Sequence, residues 1–227
     1  MNIVITGAGK GIGLSLVRHF LTFPEHRVWA CSRDISALVA LDAPGLRVEV
    51  LNIATATAET IHRQVSTFFN QVDVLIHNAG VLVNKPFETT DLEDWQQVFD
   101  VNLFSVVKIN QALLPLLHRS GAAHIVHIGS MGGVQGSSKF PGLSAYSASK
   151  AALANLTECM AEELKTTGIH VNCLALGAVD TEMLRRAFPN YKADMNSEQM
   201  AAFIGDFSLN GRAFFNGKIL PVASTTP

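Results

Sequence analysis

Six short apolar runs, "NIVIT", "RVWAC", "RVEVL", "VDVLIH", "HIVHIG" and "IHVNCLAL", alternate along the chain with longer segments of helical period such as Ile12 to Phe23 and Thr57 to Asn70. Alternation of this kind is the rhythm of repeated βαβ units. Most of the runs are apolar at nearly every position, as strands are when helices cover both faces of their sheet. The expected fold is therefore a doubly wound, Rossmann-type, mostly parallel sheet with helices on both faces. With 227 residues, 48% of them hydrophobic, the chain can bury one large core and is read as one domain over 1–227. Two helical segments are long. One runs from Leu92 to Leu117 and bends near Pro115 at its end, and the other runs from Ser147 to Thr167 and stops at Gly168.

A formal net charge of -2 with no run of like charges points away from nucleic acid and from a basic membrane patch, and toward a small-molecule partner. Cys31, Cys159 and Cys173 have no metal-type spacing, and two of them sit in apolar strand-like runs, which suits buried thiols in a reducing compartment. "MNIVITG" leads straight into a strand without a charged leader, so the cytoplasm is the expected location and no membrane span is expected. His124 and His127 alternate within a strand, and no histidine spacing suggests a metal.

Between the first strand and the first helix stands "TGAGKGIG", Thr6 to Gly13. At that place glycines let backbone amides approach a pyrophosphate, and the helix N-terminus supplies partial positive charge. The common G-x-G-x-x-G fingerprint does not fit, because it requires glycine at Ile12 or Leu14. A Gly-rich turn alone is equally a tight strand-to-helix connection without a ligand.

Four further features stand with this loop: "HNAG" at His77 to Gly80, Asn102 in "DVNLFSV", Ser130 in "HIGSMGG", and "YSASK" from Tyr146 to Lys150. Together, and in this order, they resemble the short-chain dehydrogenase/reductase family in its shorter branch of NADP(H)-dependent carbonyl reductases. The resemblance covers Met1 to about Glu182. The family's own glycine spacing, T-G-x-x-x-G-x-G, is met by Thr6, Gly7, Gly11 and Gly13. It implies that Gly7, Gly9, Lys10, Gly11, Ile12 and Gly13 hold the cofactor's phosphates, and that Asn78, Ala79 and Gly80 pack toward its adenosine side. Ser130 then positions a substrate carbonyl, Tyr146 transfers a proton, and Lys150 lowers the tyrosine pKa and bonds the nicotinamide ribose. Asn102 sits at a local break in its helix and links Lys150 to solvent through a water. His77, where the family more often has asparagine, is taken as structural.

Part of this chemistry can be argued without the family. Tyr146 and Lys150 are four residues apart, which on a helix puts them on one face. A free tyrosine has a pKa of about 10, so proton transfer near neutrality asks for a shift worth roughly 3 to 4 kcal/mol. An ammonium about 4 Å away supplies about 4 kcal/mol at an effective dielectric of 20. Ser130 closes a strand at the carboxyl edge of the sheet, where ligands bind in open α/β folds, and its hydroxyl can donate to a carbonyl oxygen.

Cofactor preference turns on "CSRD", Cys31 to Asp34, about 20 residues after the glycines, where an NAD-preferring fold has a carboxylate on the ribose hydroxyls. Arg33 arrives at that place. With Lys10 it forms a pair of cations suited to the 2′-phosphate of NADP, provided Asp34 points elsewhere. Asn52 stands where the family commonly has an adenine-contacting aspartate. After the sixth strand Leu176-Gly177 replaces Pro-Gly, with Gly177, Val179 and Thr181 still placed for the nicotinamide amide. The close, "FFNGKILPVASTTP", departs from members that end in a strand and a paired glycine, which puts its last strand and any tetramer contact built on it in question.

The expected activity is hydride transfer between NADP(H) and the carbonyl or secondary alcohol of a small molecule, in the reductive direction. Met131, Val134, Phe140, Leu143, Met183, Leu184 and Phe188 make a largely apolar pocket, and the residues after about 182 form its flap and a tail. A ketoester bound to acyl carrier protein is one candidate substrate, with Arg119, Arg185 and Arg186 the available cations. The long helices carry more apolar positions than one sheet face covers, so a homodimer or homotetramer is expected. The alternative is an NADP(H)-binding sensor or scaffold without turnover, which has no need of an intact Ser130, Tyr146 and Lys150.

Overall fold

The structure is a computed structural model that describes residues 1–223; residues 224–227 of the closing stretch lie outside the described residues. Its first half alternates β1 (Asn2–Thr6), α1 (Gly11–Leu21), β2 (Arg27–Ser32), a short α2 (Ser36–Val39), β3 (Leu46–Val50), α3 (Ala58–Ser66) and β4 (Val74–His77). There follow α4 (Leu92–Phe99), α5 (Ser105–Ser120), β5 (His124–Ser130), α6 (Ser144–Glu163) and β6 (His170–Leu176). The chain ends with β7 (Val179–Asp180), α7 (Glu182–Ala187), β8 (Met195–Asn196), α8 (Ser197–Asn210) and β9 (Ile219–Val222).

Seven strands form one sheet in the order β3-β2-β1-β4-β5-β6-β9, every pair parallel. The sequence order reverses between β1 and β4, and ligands of open α/β sheets bind beyond the strand ends at such a switch. The apolar strand runs are explained by two cores. Val4, Trp29, Leu75 and Ile125 face α3, α5 and α6 on one side, and Ile3, Ile5, Ala30 and Ile76 face α1 and α8 on the other. Each is essentially solvent-free, and burying a side chain of this size contributes roughly 1.5 to 3 kcal/mol.

Three expectations change. The long segment ends not at Leu117 but at Ser120, running through Pro115 with Leu116 and Leu117 fully buried, and Gly121 stops it in the left-handed region at φ 67°. Its irregularity lies earlier, in a π-helical turn at Asp100–Phe104 between α4 and α5. The residues after 182 are not only flap and tail. Helix α8, opened by a capping box between Asn196 and Gln199, buries Met200, Ala201 and Ile204 against α1.

The last strand does form. Asn172 of β6 accepts from the Lys218 amide and donates to the Phe215 carbonyl, both at 3.0 Å, while Asn216 accepts from the Val171 amide at 3.0 Å. These side chains dock the tail in register, a long-range pairing that local sequence does not announce.

Buried histidines tie the sheet to its covering helices. His77 shares a 2.8 Å bond with Asn110 of α5, His127 one of the same length with Thr157 of α6, and His124 one of 3.0 Å with the Ser208 carbonyl of α8. Burial holds His77 and His124 down to about 4 and His127 well below its ordinary value. An unfolded chain protonates these rings near pH 6.5, whereas the folded protein refuses the proton until about pH 4. Stability is therefore untouched above pH 6.5 and lost as pH falls toward 4, by up to about 1.4 kcal/mol per pH unit for each ring. Urea unfolding should show a lower midpoint at pH 5 than at pH 7, with a shallower decline in His77→Asn; equal pH dependence in the two proteins would contradict this origin.

Candidate active site

The glycine loop and the loop after β4 meet backbone to backbone. Gly7 has φ +67°, and a Cβ on it would lie 2.6 Å from the Cα of Ala79. Asn78 donates its amide to the Gly7 carbonyl at 2.9 Å and to that of Thr6 at 3.3 Å, while the Thr6 hydroxyl accepts from the Ala79 amide at 3.2 Å. Gly13, in the first turn of α1, faces the Gly7 carbonyl so closely that a Cβ would come within 2.2 Å of it.

These contacts open a cleft of about 370 Å³ at the carboxyl edge of the sheet. Gly7, Lys10, Gly11 and Ile12 form one wall, with Asn78, Ala79 and Gly80 beside them. Arg33 and Asn52 line it too, as do Ser130, Tyr146 and Lys150, and Gly177, Val179 and Thr181, the last packed beside Gly11. Three residues expected at the cofactor or the chemistry do not line the cleft: Gly9, Gly13 and Asn102 stand behind its surface. Gly9 makes room for the end of β2, since a Cβ there would meet the Asp34 carbonyl at 2.2 Å. Asn102, 1% exposed, accepts from the Val81 amide at 2.9 Å and donates to the Val81 carbonyl and the Ser149 hydroxyl, both at 3.0 Å. It thereby fastens the loop after β4 to α6 from the π-helical turn.

A dinucleotide fits these residues. The first turn of α1 carries no acidic residue and no side-chain cap, so its amides and the positive end of the helix face the cleft with no side chain of their own turn bonded to them. Arg33 follows the last residue of β2 into the cleft, while the Asp34 carboxylate turns back to the amide and hydroxyl of Ser36, which hold it below the usual carboxylate range. Lys10 is paired with Glu182 of α7 at 2.6 Å, and Glu182 also meets Arg186. Glu182 is a member of the cleft that the sequence did not single out, since its partner lies 172 positions away.

The tyrosine and lysine differ from expectation. Burial pushes the Tyr146 phenol above its ordinary value, with the Ser130 hydroxyl pulling the other way. The Lys150 ammonium lies 5.9 Å from the centre of the Tyr146 ring and donates to the Ile128 carbonyl at 2.7 Å. It is buried and held down to about 8 for that reason. Desolvation at the phenol outweighs the Ser130 hydrogen bond, while the lysine's ammonium is turned to a carbonyl of β5. His77 lies outside the cleft, bonded to Asn110. Among the described residues no three His, Cys, Asp or Glu side chains gather in a metal-holding group, and no helix is long and apolar enough to cross a membrane.

A family model described as short chain dehydrogenase matches residues 1–192. The chain belongs to the short-chain dehydrogenase/reductase family. Among its relatives, the 1-deoxy-11-beta-hydroxypentalenate dehydrogenase of Streptomyces exfoliatus is 36% identical over 193 residues, 80% of this chain and 68% of that protein. The 3-oxoacyl-(acyl-carrier-protein) reductase FabG of Chlamydia muridarum is 25% identical over 239 residues, 96% of this chain and 94% of its own. The solved structure of Pseudomonas aeruginosa RhlG, in an active-site complex with NADP, superposes with a TM-score of 0.87 at 25% identity over 99% of this chain and 95% of that one.

Proposed function

We propose that this chain is a cytoplasmic NADP(H)-dependent oxidoreductase that reduces the carbonyl of a small molecule to a secondary alcohol, within one catalytic domain over 1–227. The observation that carries the reading is the meeting of Ser130, Tyr146 and Lys150 in the cleft that the glycine loop also lines. Relatives named as a reductase and a dehydrogenase, and a neighbour holding NADP, support the same chemistry.

When bound, the nicotinamide supplies the hydride. Ser130 and Tyr146 bond the carbonyl oxygen, and Tyr146 gives it the proton as negative charge develops there. Burial pushes the phenol up, so the free protein holds its proton on Tyr146. Lys150, which donates to the Ile128 carbonyl, would hold the cofactor's ribose, while Asn102 and Ser149 hold the helix that carries it. At the other end Arg33 and Lys10 take the 2′-phosphate. Lys10 gives up Glu182 to do so, an exposed pair of a weak kind exchanged for a charge-assisted phosphate contact. Exposed Leu92 on α4 and Phe104 beside α5, 85% and 51% accessible, suit a second copy of the chain packed on this helix pair.

Tyr146→Phe should keep NADPH affinity and lose nearly all carbonyl reduction, read as loss of nicotinamide absorbance; near-normal rates would sink the proton-transfer role. Lys150→Ala should weaken NADPH binding as well as rate. Wild type should favour NADPH over NADH by at least about a hundredfold in kcat/KM. Arg33→Asp with Lys10→Ala should erase that preference while sparing NADH use, and an unchanged NADPH constant would show that neither cation meets the phosphate. Light scattering at micromolar concentration should give at least a dimer; a monomer would refute the packing of α4 and α5.

A further inference from the structure

We propose that the substrate is a free, uncharged, hydrophobic ketone, not an anionic keto acid or a carrier-bound thioester, an inference that rests on the oxidoreductase reading above. Beyond Ser130 and Tyr146 the cleft is walled by Val81, Leu82, Met131, Leu143, Leu184 and Phe188. Its charged lining residues are Lys10, Arg33, Lys150 and Glu182. Lys10, Arg33 and Glu182 belong to the end near the glycine loop, and Lys150 is buried against the Ile128 carbonyl. A carboxylate entering the apolar half leaves water and finds no cation to receive it, a loss that a neutral ketone of the same shape does not suffer.

The apolar half also has a roof. Phe140, from the loop after β5, and Phe188, just past α7, meet with ring centroids 5.7 Å apart at 59°. Asn84 donates to the Ala187 carbonyl at 2.8 Å and the Lys85 amide to the Gly142 carbonyl at 3.1 Å, so three segments are tied around one mouth. Two edge-set rings over an aliphatic floor suit a compact cyclic or aromatic body.

Docking of an acidic carrier protein needs a cluster of free cations near that mouth; Lys139 and Lys192 stand there without an ion pair among the described residues, but the arginines are engaged. Arg185 is paired with Asp180 at 2.5 Å and Arg186 with Glu182. Arg119 donates to the Asn70 carbonyl at 3.1 Å, at the amino edge of the sheet, away from the cleft. The chain's net charge of -2 adds nothing to attract an acidic partner.

The test compares methyl 4-acetylbenzoate with 4-acetylbenzoate, one ketone with and without a charge, as substrates with NADPH. The ester should be reduced with kcat/KM at least about fiftyfold higher. Phe188→Arg, which places a cation at the roof, should move that ratio toward parity. Acetoacetyl on N-acetylcysteamine should be reduced as well as acetoacetyl on acyl carrier protein. A carboxylate reduced as fast as its ester, or a clear gain from the carrier, would overturn the proposal. Calorimetric titration of both acetylbenzoates into the NADPH-loaded protein separates this from failure of the enzyme reading. Preferential binding of the ester without reduction of any ketone removes the enzyme reading and leaves the pocket's preference standing, whereas equal binding, or none at millimolar concentration, overturns that preference.

Discussion

The site depends on one close approach, that of the backbone at Gly7 to the backbone at Ala79. A side chain at Gly7 would stand 2.6 Å from the Ala79 Cα, so only glycine lets the loops after β1 and β4 touch. Asn78 then locks the contact by donating to the carbonyls on either side of the turn. From this junction follow the direction of α1, the exposure of its uncapped first turn to the cleft, and the position of Gly80 between Asn102 and Lys150.

Beneath the cleft lies a layer of buried polar groups that bond one another, save the Nδ1 of His77, which has no partner among the described residues. His77, Asn110, His127 and Thr157 form one chain of contacts; Asn102, Val81, Ser149 and the Tyr146 carbonyl form another. A buried amide or imidazole left without a partner costs on the order of 1 to 3 kcal/mol, so each network favours a single arrangement of the helices that bear the chemistry. Desolvation also tunes the reacting groups. The same burial that lowers the lysine to about 8 raises the phenol, so burial favours the neutral form of each group.

The sheet was legible in the sequence because its signal is local: strands covered on both faces must be apolar throughout, and β1, β2, β4, β5 and β6 fall where those runs stand. Arg33 was legible for a related reason, since the strand end and the glycines are separated by a short, countable stretch of chain. Ser130, Tyr146 and Lys150 were marked by motif and helical spacing, and the structure brings all three to one cleft.

What only the tertiary structure decided is whatever rests on partners distant in the chain. Glu182 reaches Lys10 across 172 positions, and Asn172 and Asn216 dock the closing strand from either side of a 43-residue gap or more. Pro115 reads as a bend close to a helix end, yet the helix continues five residues past it to Ser120 with Leu116 and Leu117 buried, where packing outweighs the proline's local penalty. The lysine's aim at Ile128 instead of the phenol has the same character. Spacing places two side chains on one face of a helix, but the competing carbonyl comes from a strand that sequence periodicity cannot position against them.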